Sequence, residues 1–178
     1  MVAANYDIFI EQGSTFTMTV YSLSAPTTFV PNLLAELIGQ GGVASRPVNG
    51  MIKGNLWYDA TQGATARWSR WDGTTWNNVT PTDLTNWSGR LMFKRNYQDA
   101  SALLSLVSPS ASGLGLDLGG THGSVTIKIP AASATAVDPT WQGNVSGVYD
   151  LEVFDGSSPI QVIRIMQGKW VLGIESTR

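Results

Sequence analysis

Apolar and polar positions alternate with a period of two in short runs at both ends of the chain, and Gly, Pro, Asn and Asp separate the runs. The clearest run is 15–21. There Phe16, Met18 and Val20 share one face and the threonines the other, the pattern of a strand with one wet side. Residues 6–11 form a shorter β-like run that ends at a Gln12-Gly13 turn. Farther on, 89–95 sets Leu91 and Phe93 against Arg90, Met92 and Lys94, and 103–107 supplies a second apolar strand. Residues 113–120 read as a loop in which Leu114, Leu116 and Leu118 alternate with Gly and Asp, whereas 124–129 alternates cleanly until Pro130 stops it. The small residues of 131–136 predict one or two helical turns. Two last strands, 147–154 and 159 to 170 or 172, meet at an Asp155-Gly156-Ser157 turn.

The middle of the chain follows a different pattern. Pro26 and Pro31 interrupt it, Asn32 is placed to cap a short helical turn over Leu33, Leu34, Leu37 and Ile38, and 40–50 reads as a flexible link. Five of the seven tryptophans then fall between Trp57 and Trp87 in a polar stretch with no helical spacing. Runs at 54–59, 65–71 and 75–79, with Asp72-Gly73 between the last two, predict a three-stranded antiparallel unit over about 54–80. Seven short strands outside it predict an all-β fold, an immunoglobulin-like antiparallel β-sandwich built from 1–21 and 87–178, with 22–86 as an insertion. Tyr149 stands where such a sandwich would carry a tyrosine corner, and Leu151 where antibody domains have their second Cys. The plainer alternative for Tyr149 is a half-buried strand aromatic.

Charged residues are 13% of the chain, about half the usual share of ~25%, so the surface must be built of Thr, Ser, Asn, Gln and Gly. With a net charge of −2 there is little self-repulsion, which suits permanent assembly. Only Lys94 and Arg95, with Arg90 nearby, approach a basic cluster, so nucleic acid is not an expected partner. The absence of cysteine removes disulfides, thiolate nucleophiles and cysteine-containing zinc sites. Residues 1–13 carry no basic or apolar leader pattern and no apolar run approaches a membrane span. No membrane partner is expected, and the protein is expected to be made and kept in the cytosol of its producer.

The opening Tyr6-Asp7-Ile8-Phe9-Ile10-Glu11, the middle Gly89-Arg90-Leu91-Met92-Phe93-Lys94, residues 125–130 and Gly147-Val148-Tyr149-Asp150-Leu151-Glu152 together resemble a family of small tailed-bacteriophage virion proteins. The insertion, with Leu56-Trp57-Tyr58-Asp59 and Trp71-Asp72-Gly73-Thr74-Thr75-Trp76, is similar to small β-modules of phage tail-fibre proteins. The resemblance implies an immunoglobulin-like adaptor or decoration of a virion, made in the host cytoplasm. Its implied partners are other virion proteins, copies of itself in a symmetric assembly, or a fibre.

No residue set assembles into a catalytic centre, so no enzyme, cofactor or metal is expected. His122 is the single histidine, in a Gly-Thr-His-Gly turn, and one imidazole without Cys cannot make the usual zinc sites. Asp150 and Glu152 share a strand face near Asp155, an arrangement more often solvated than catalytic. Gly113-Leu114-Gly115 lacks the Lys and helix of a phosphate loop, and no nucleophile elbow precedes a helix. The tryptophans carry the one chemical argument: Trp57, Trp68, Trp71 and Trp76, with Arg67 and Arg70 placed to stack on them, are candidate partner-binding residues. The alternative is that a unit this small uses the rings as its own core. Trp68 and Trp71 have opposite parity, so one of them should face away from that core. Three functions remain: a tail, baseplate or neck adaptor; a capsid decoration protein; and a carbohydrate-binding module reading host surface glycan.

Overall fold

The computed structural model describes residues 3–23, 37–47, 49–63, 67–139 and 143–174. The protein is all-β, with two sheets in a sandwich-like arrangement and a third sheet appended. Strands β1 (Ala4–Asn5), β2 (Ile8–Glu11), β8 (Ser88–Lys94), β9 (Leu104–Val107), β12 (Val145–Phe154) and β13 (Val162–Gly173) form the larger sheet, ordered β1-β13-β12-β8-β9 with β2 also on β13. Facing it is a three-stranded sheet, β10-β11-β3, from Gly115–Leu118, Ser124–Ile129 and Phe16–Tyr21.

Period-two alternation builds the core between them. Val125, Ile127 and Ile129 of β11 point inward, in register with Val20, Met18 and Phe16 of β3. They meet Leu91 and Phe93 of β8, Leu151 and Val153 of β12, and Trp170 of β13. Phe93 packs against both Tyr149 and Trp170, with ring centroids 5.8 and 5.4 Å away. A β-bulge after Leu151 leaves Ile165 without a register partner, so Ile165 and Met166 are both buried and Arg164 returns to the outer face opposite Glu152. Helix α1 (Ala131–Val137) carries the chain from β11 to β12 and buries Ala134.

Several sequence expectations change. The 113–120 loop contains β10, whose Gly115 and Leu116 are buried against neighbouring strands; its glycines and aspartate made an alternating run read as a loop. Tyr149 is fully buried, and its hydroxyl donates to Tyr6 O at 2.5 Å rather than to the segment just before its own strand, so the hydrogen bond expected of a tyrosine corner is not the one made. The link at 40–50 is partly structured: β4 (Leu37–Gln40) runs to residue 40 and a 3₁₀ turn covers Val43–Ser45. Leu37 and Ile38 are therefore strand, not helical turn, and Asn32, Leu33 and Leu34 lie outside the described residues.

The appended sheet has the order β4-β5-β6-β7, with β5 Leu56–Tyr58, β6 Trp68–Trp71 and β7 Trp76–Val79. The three expected antiparallel strands are present, and β4 adds to β5 in parallel.

Candidate functional site

Register assigns each aromatic ring of the appended sheet to a face. Tyr58, Trp68 and Val79 stand opposite one another across β5, β6 and β7, on the same face as Leu56 and Arg70. This face has its own core of Leu56, Trp68, Val79 and Leu23, closed by Tyr21 and Tyr58. Tyr21 projects from the outer face of the three-stranded sheet, paired with Ser124, and its ring centroid lies 4.8 Å from Trp68. Leu23 pairs with Pro81 as an isolated bridge, and Ser22 O accepts Thr82 N at 2.8 Å, so a two-strand neck joins the units.

The opposite face carries Trp57, Trp71 and Trp76. Trp57 and Trp76 are 6.5 Å apart edge to face, and Trp71 and Trp76 pair across the hairpin at 5.6 Å. The segment read as a link walls in this face: Gly41 O accepts the Trp57 indole N–H at 2.8 Å, and Pro47 O that of Trp76 at 3.0 Å. Trp68 and Trp71 thus point to opposite sides, as their parity requires. Trp57 and Trp68 are buried, while Trp71 and Trp76 are half-buried. The planes of Trp71 and Trp76 are inclined at 58°, so the pair offers no flat stacking surface.

Asp72 organises the hairpin. Its carboxylate accepts Thr74 N, Thr75 N, the Thr74 hydroxyl and Asn77 Nδ2 within 2.7–2.8 Å, and these donors, Thr75 N foremost, hold it far below the usual carboxylate range. At the far end of β5, Asp59 is fully buried; Oδ1 takes the Thr61 N–H and hydroxyl, while Oδ2 makes no hydrogen bond among the described residues. The arginines read as ring-stacking partners are engaged by backbone: Arg67 Nε donates to Gln62 O at 2.8 Å and Arg70 Nε to Gly54 O at 3.2 Å.

Arg67 also lines a cavity of about 130 Å³ at the seam between the units, with Tyr21, Tyr58, Trp68, His122 and Ser124. Sequence reasoning did not join these residues. Ser124 and Tyr21 are 103 positions apart and meet only through the β3–β11 register, a long-range pairing that no local pattern encodes.

On the outer face of the larger sheet, Asp150 and Glu152 are side by side as expected. Glu152 is clamped by Arg90 Nη2 and Arg164 Nη2, each at 2.8 Å, and Arg164 lies 3.6 Å from Asp150. Asp155 is occupied in its turn by Ser157 and the Gln161 N–H. Among the described residues there is no cluster of three or more His, Cys, Asp or Glu able to hold a metal. No protein-family model matches the chain, and no curated protein matches it.

Proposed function

We propose that this chain is a structural part of a tailed-phage virion, an adaptor of the tail, baseplate or neck that joins rings or fibres by protein contacts. The observation that carries the reading is the appended sheet. It has a core separate from that of the sandwich and is held by the neck at Leu23–Pro81, which gives the molecule two distinct bodies with which to meet two neighbours. Strand order supports the immunoglobulin-like expectation. Reading β3, β8, β10, β11, β12 and β13 as B, C, D, E, F and G, the small sheet is D-E-B and the large one carries G-F-C. The outer face of the larger sheet also leaves Phe9, Val107 and Val162 more than half exposed in a chain poor in charge.

A capsid decoration role would use the same surfaces. The glycan-reading alternative has less behind it, because the half-buried Trp71 and Trp76 are inclined to one another and Trp57 is buried. The adaptor reading is tested in particles. Quantitative mass spectrometry of purified virions of the encoding phage should find the chain at a copy number matching the tail symmetry, and antibody labelling should place it on the tail axis. Virions that lack the chain overturn the proposal, and labelling over the whole head selects the decoration role instead.

A further inference from the structure

We propose that the seam cavity between the sandwich and the appended sheet is a binding site for a small oxyanion, a carboxylate or phosphate group held by Arg67. The argument begins with unspent hydrogen-bonding capacity. Among the described residues, Arg67 makes one hydrogen bond, from Nε to Gln62 O, and no ion pair, so both terminal nitrogens keep their donors. The hydroxyls of Tyr21, Tyr58 and Ser124 make no hydrogen bond to described residues, and His122 uses only Nδ1, 3.2 Å from Gly119 O. Five polar side chains with spare valence therefore line one small space. Polar groups that enter a partly enclosed site without protein partners are matched by water or by a ligand.

Charge selects the ligand. The described residues lining the cavity include an arginine and the single histidine but neither Asp nor Glu, so the local field favours an anion. A guanidinium whose Nε is already fixed by a carbonyl presents its remaining edge in one plane, the geometry that takes two oxygens of a carboxylate or phosphate. Burial, with Tyr58 beside it, pushes the Tyr21 phenol above its ordinary value, so it stays protonated and able to donate.

Size and rigidity agree. A volume of about 130 Å³ holds roughly four water-sized groups at ~30 Å³ each, the bulk of one oxyanion and the stub that bears it. The walls are already in place. Trp68 is packed between Tyr21 at 4.8 Å and Tyr58 at 4.9 Å, and Pro81 is fixed by its bridge to Leu23. Binding here orders little that is not ordered already. Because Tyr21, His122 and Ser124 come from the sandwich and Tyr58, Arg67 and Trp68 from the appended sheet, an occupant would fasten one unit to the other.

The test uses the full chain and its single histidine, whose ring proton gives one resolvable NMR signal at fixed pH. Sodium acetate, inorganic phosphate, glucuronate and, as a neutral control, glucose are titrated at constant ionic strength. The expected result is a saturable shift of the His122 signal with the three anions and none with glucose. Glucuronate tighter than acetate identifies a carboxylate carried on a sugar, whereas phosphate tighter than both identifies a phosphoryl group. Arg67→Gln should weaken binding about tenfold, the loss of one charge-assisted interaction. Tyr58→Phe, which keeps the ring against Trp68, should weaken it by a smaller factor. No saturable shift with any anion, equal response to glucose, or an unchanged affinity in Arg67→Gln would overturn the proposal. None of these outcomes depends on the virion reading.

Discussion

Glu152 is a carboxylate turned toward solvent yet nearly covered, its side chain 9% exposed beneath Arg90 and Arg164, which are each 48% exposed. Two opposing effects act on it. Burial raises its pKa, and the hydrogen bonds and charges of Arg90 and Arg164 lower it further than burial raises it, so the net direction is down. A carboxyl whose folded pKa lies below its unfolded value of about 4.3 contributes stability that is fully present above that value and is lost as pH falls through the folded pKa. Glu152→Gln should therefore lower stability at pH 7 by on the order of 1 kcal/mol, a figure kept small because solvent screens the half-exposed arginines. Urea denaturation of both proteins from pH 7 to pH 3 checks this. The gap between them should narrow below about pH 4, and a gap independent of pH would show that the clamp acts through packing alone. The residue was visible in the sequence as one of two carboxylates on a strand face. Its neutralising partner Arg164 was not, because the β-bulge that puts Arg164 opposite Glu152 shifts the register by one residue and leaves no mark in the alternation.

In β12 and β13 each large inward ring faces a glycine across the ladder, Tyr149 opposite Gly168 and Trp170 opposite Gly147. The spacing has a steric cause. A Cβ on Gly168 would come within 2.1 Å of Tyr6 O, where the N-terminal edge breaks between β1 and β2 and receives the Tyr149 hydroxyl; a Cβ on Gly147 would come within 1.9 Å of Lys94 O, the acceptor for Trp170 Nε1. Gly168→Ala must then push the Tyr6 backbone away from β13 and strain the partly buried Tyr149 hydrogen bond, at a cost of about 2 kcal/mol or more. Thermal unfolding should register the loss, and native-state hydrogen exchange should place it at the Tyr6 and Ile8–Glu11 amides. An alanine variant as stable as the parent would mean that the edge shifts freely. Legibility at this scale followed the physics of each element. β3 and β11 could be read because one face is wet and the other dry. β10 was hidden by Gly115 and Asp117, and β4 by its parallel partner, because pairing with β5 supplies what its own short sequence does not. The opposite faces of Trp68 and Trp71 followed from parity alone, but the faces of Trp57 and Trp76 needed the strand register, and the wall at Gly41 and Pro47 that satisfies two indoles depends on a tertiary contact.

The neck controls how the two bodies are held in the whole molecule, and it also allows them to be separated. Leu23 and Pro81 are antiparallel partners, and opposed residues in such a ladder have Cα atoms about 4.5–5.5 Å apart. A two-residue Asn-Gly turn spans that distance, so the segment between them can be replaced by a tight hairpin without moving β3 or β8. The operation exposes two apolar side chains, the Tyr21 ring that normally lies on Trp68 and Leu23, which packs with Leu56, Trp68 and Val79, and Tyr21→Thr with Leu23→Thr removes both while preserving the strand. Since among the described residues the sandwich core contains none from β5 to β7, the shortened chain should fold cooperatively and lose only the Leu23, Leu56, Trp68 and Val79 cluster. If the proposed adaptor role holds, the shortened chain supplied in place of the full one during particle assembly should still bind through the sandwich and fail to recruit the neighbour proposed for the appended sheet. Native electrophoresis and electron microscopy of the resulting particles separate the outcomes. Particles complete and infectious with the shortened chain would remove the appended sheet from assembly and with it the two-body argument for an adaptor. Particles halted at one defined stage would assign that sheet to the next contact in the assembly.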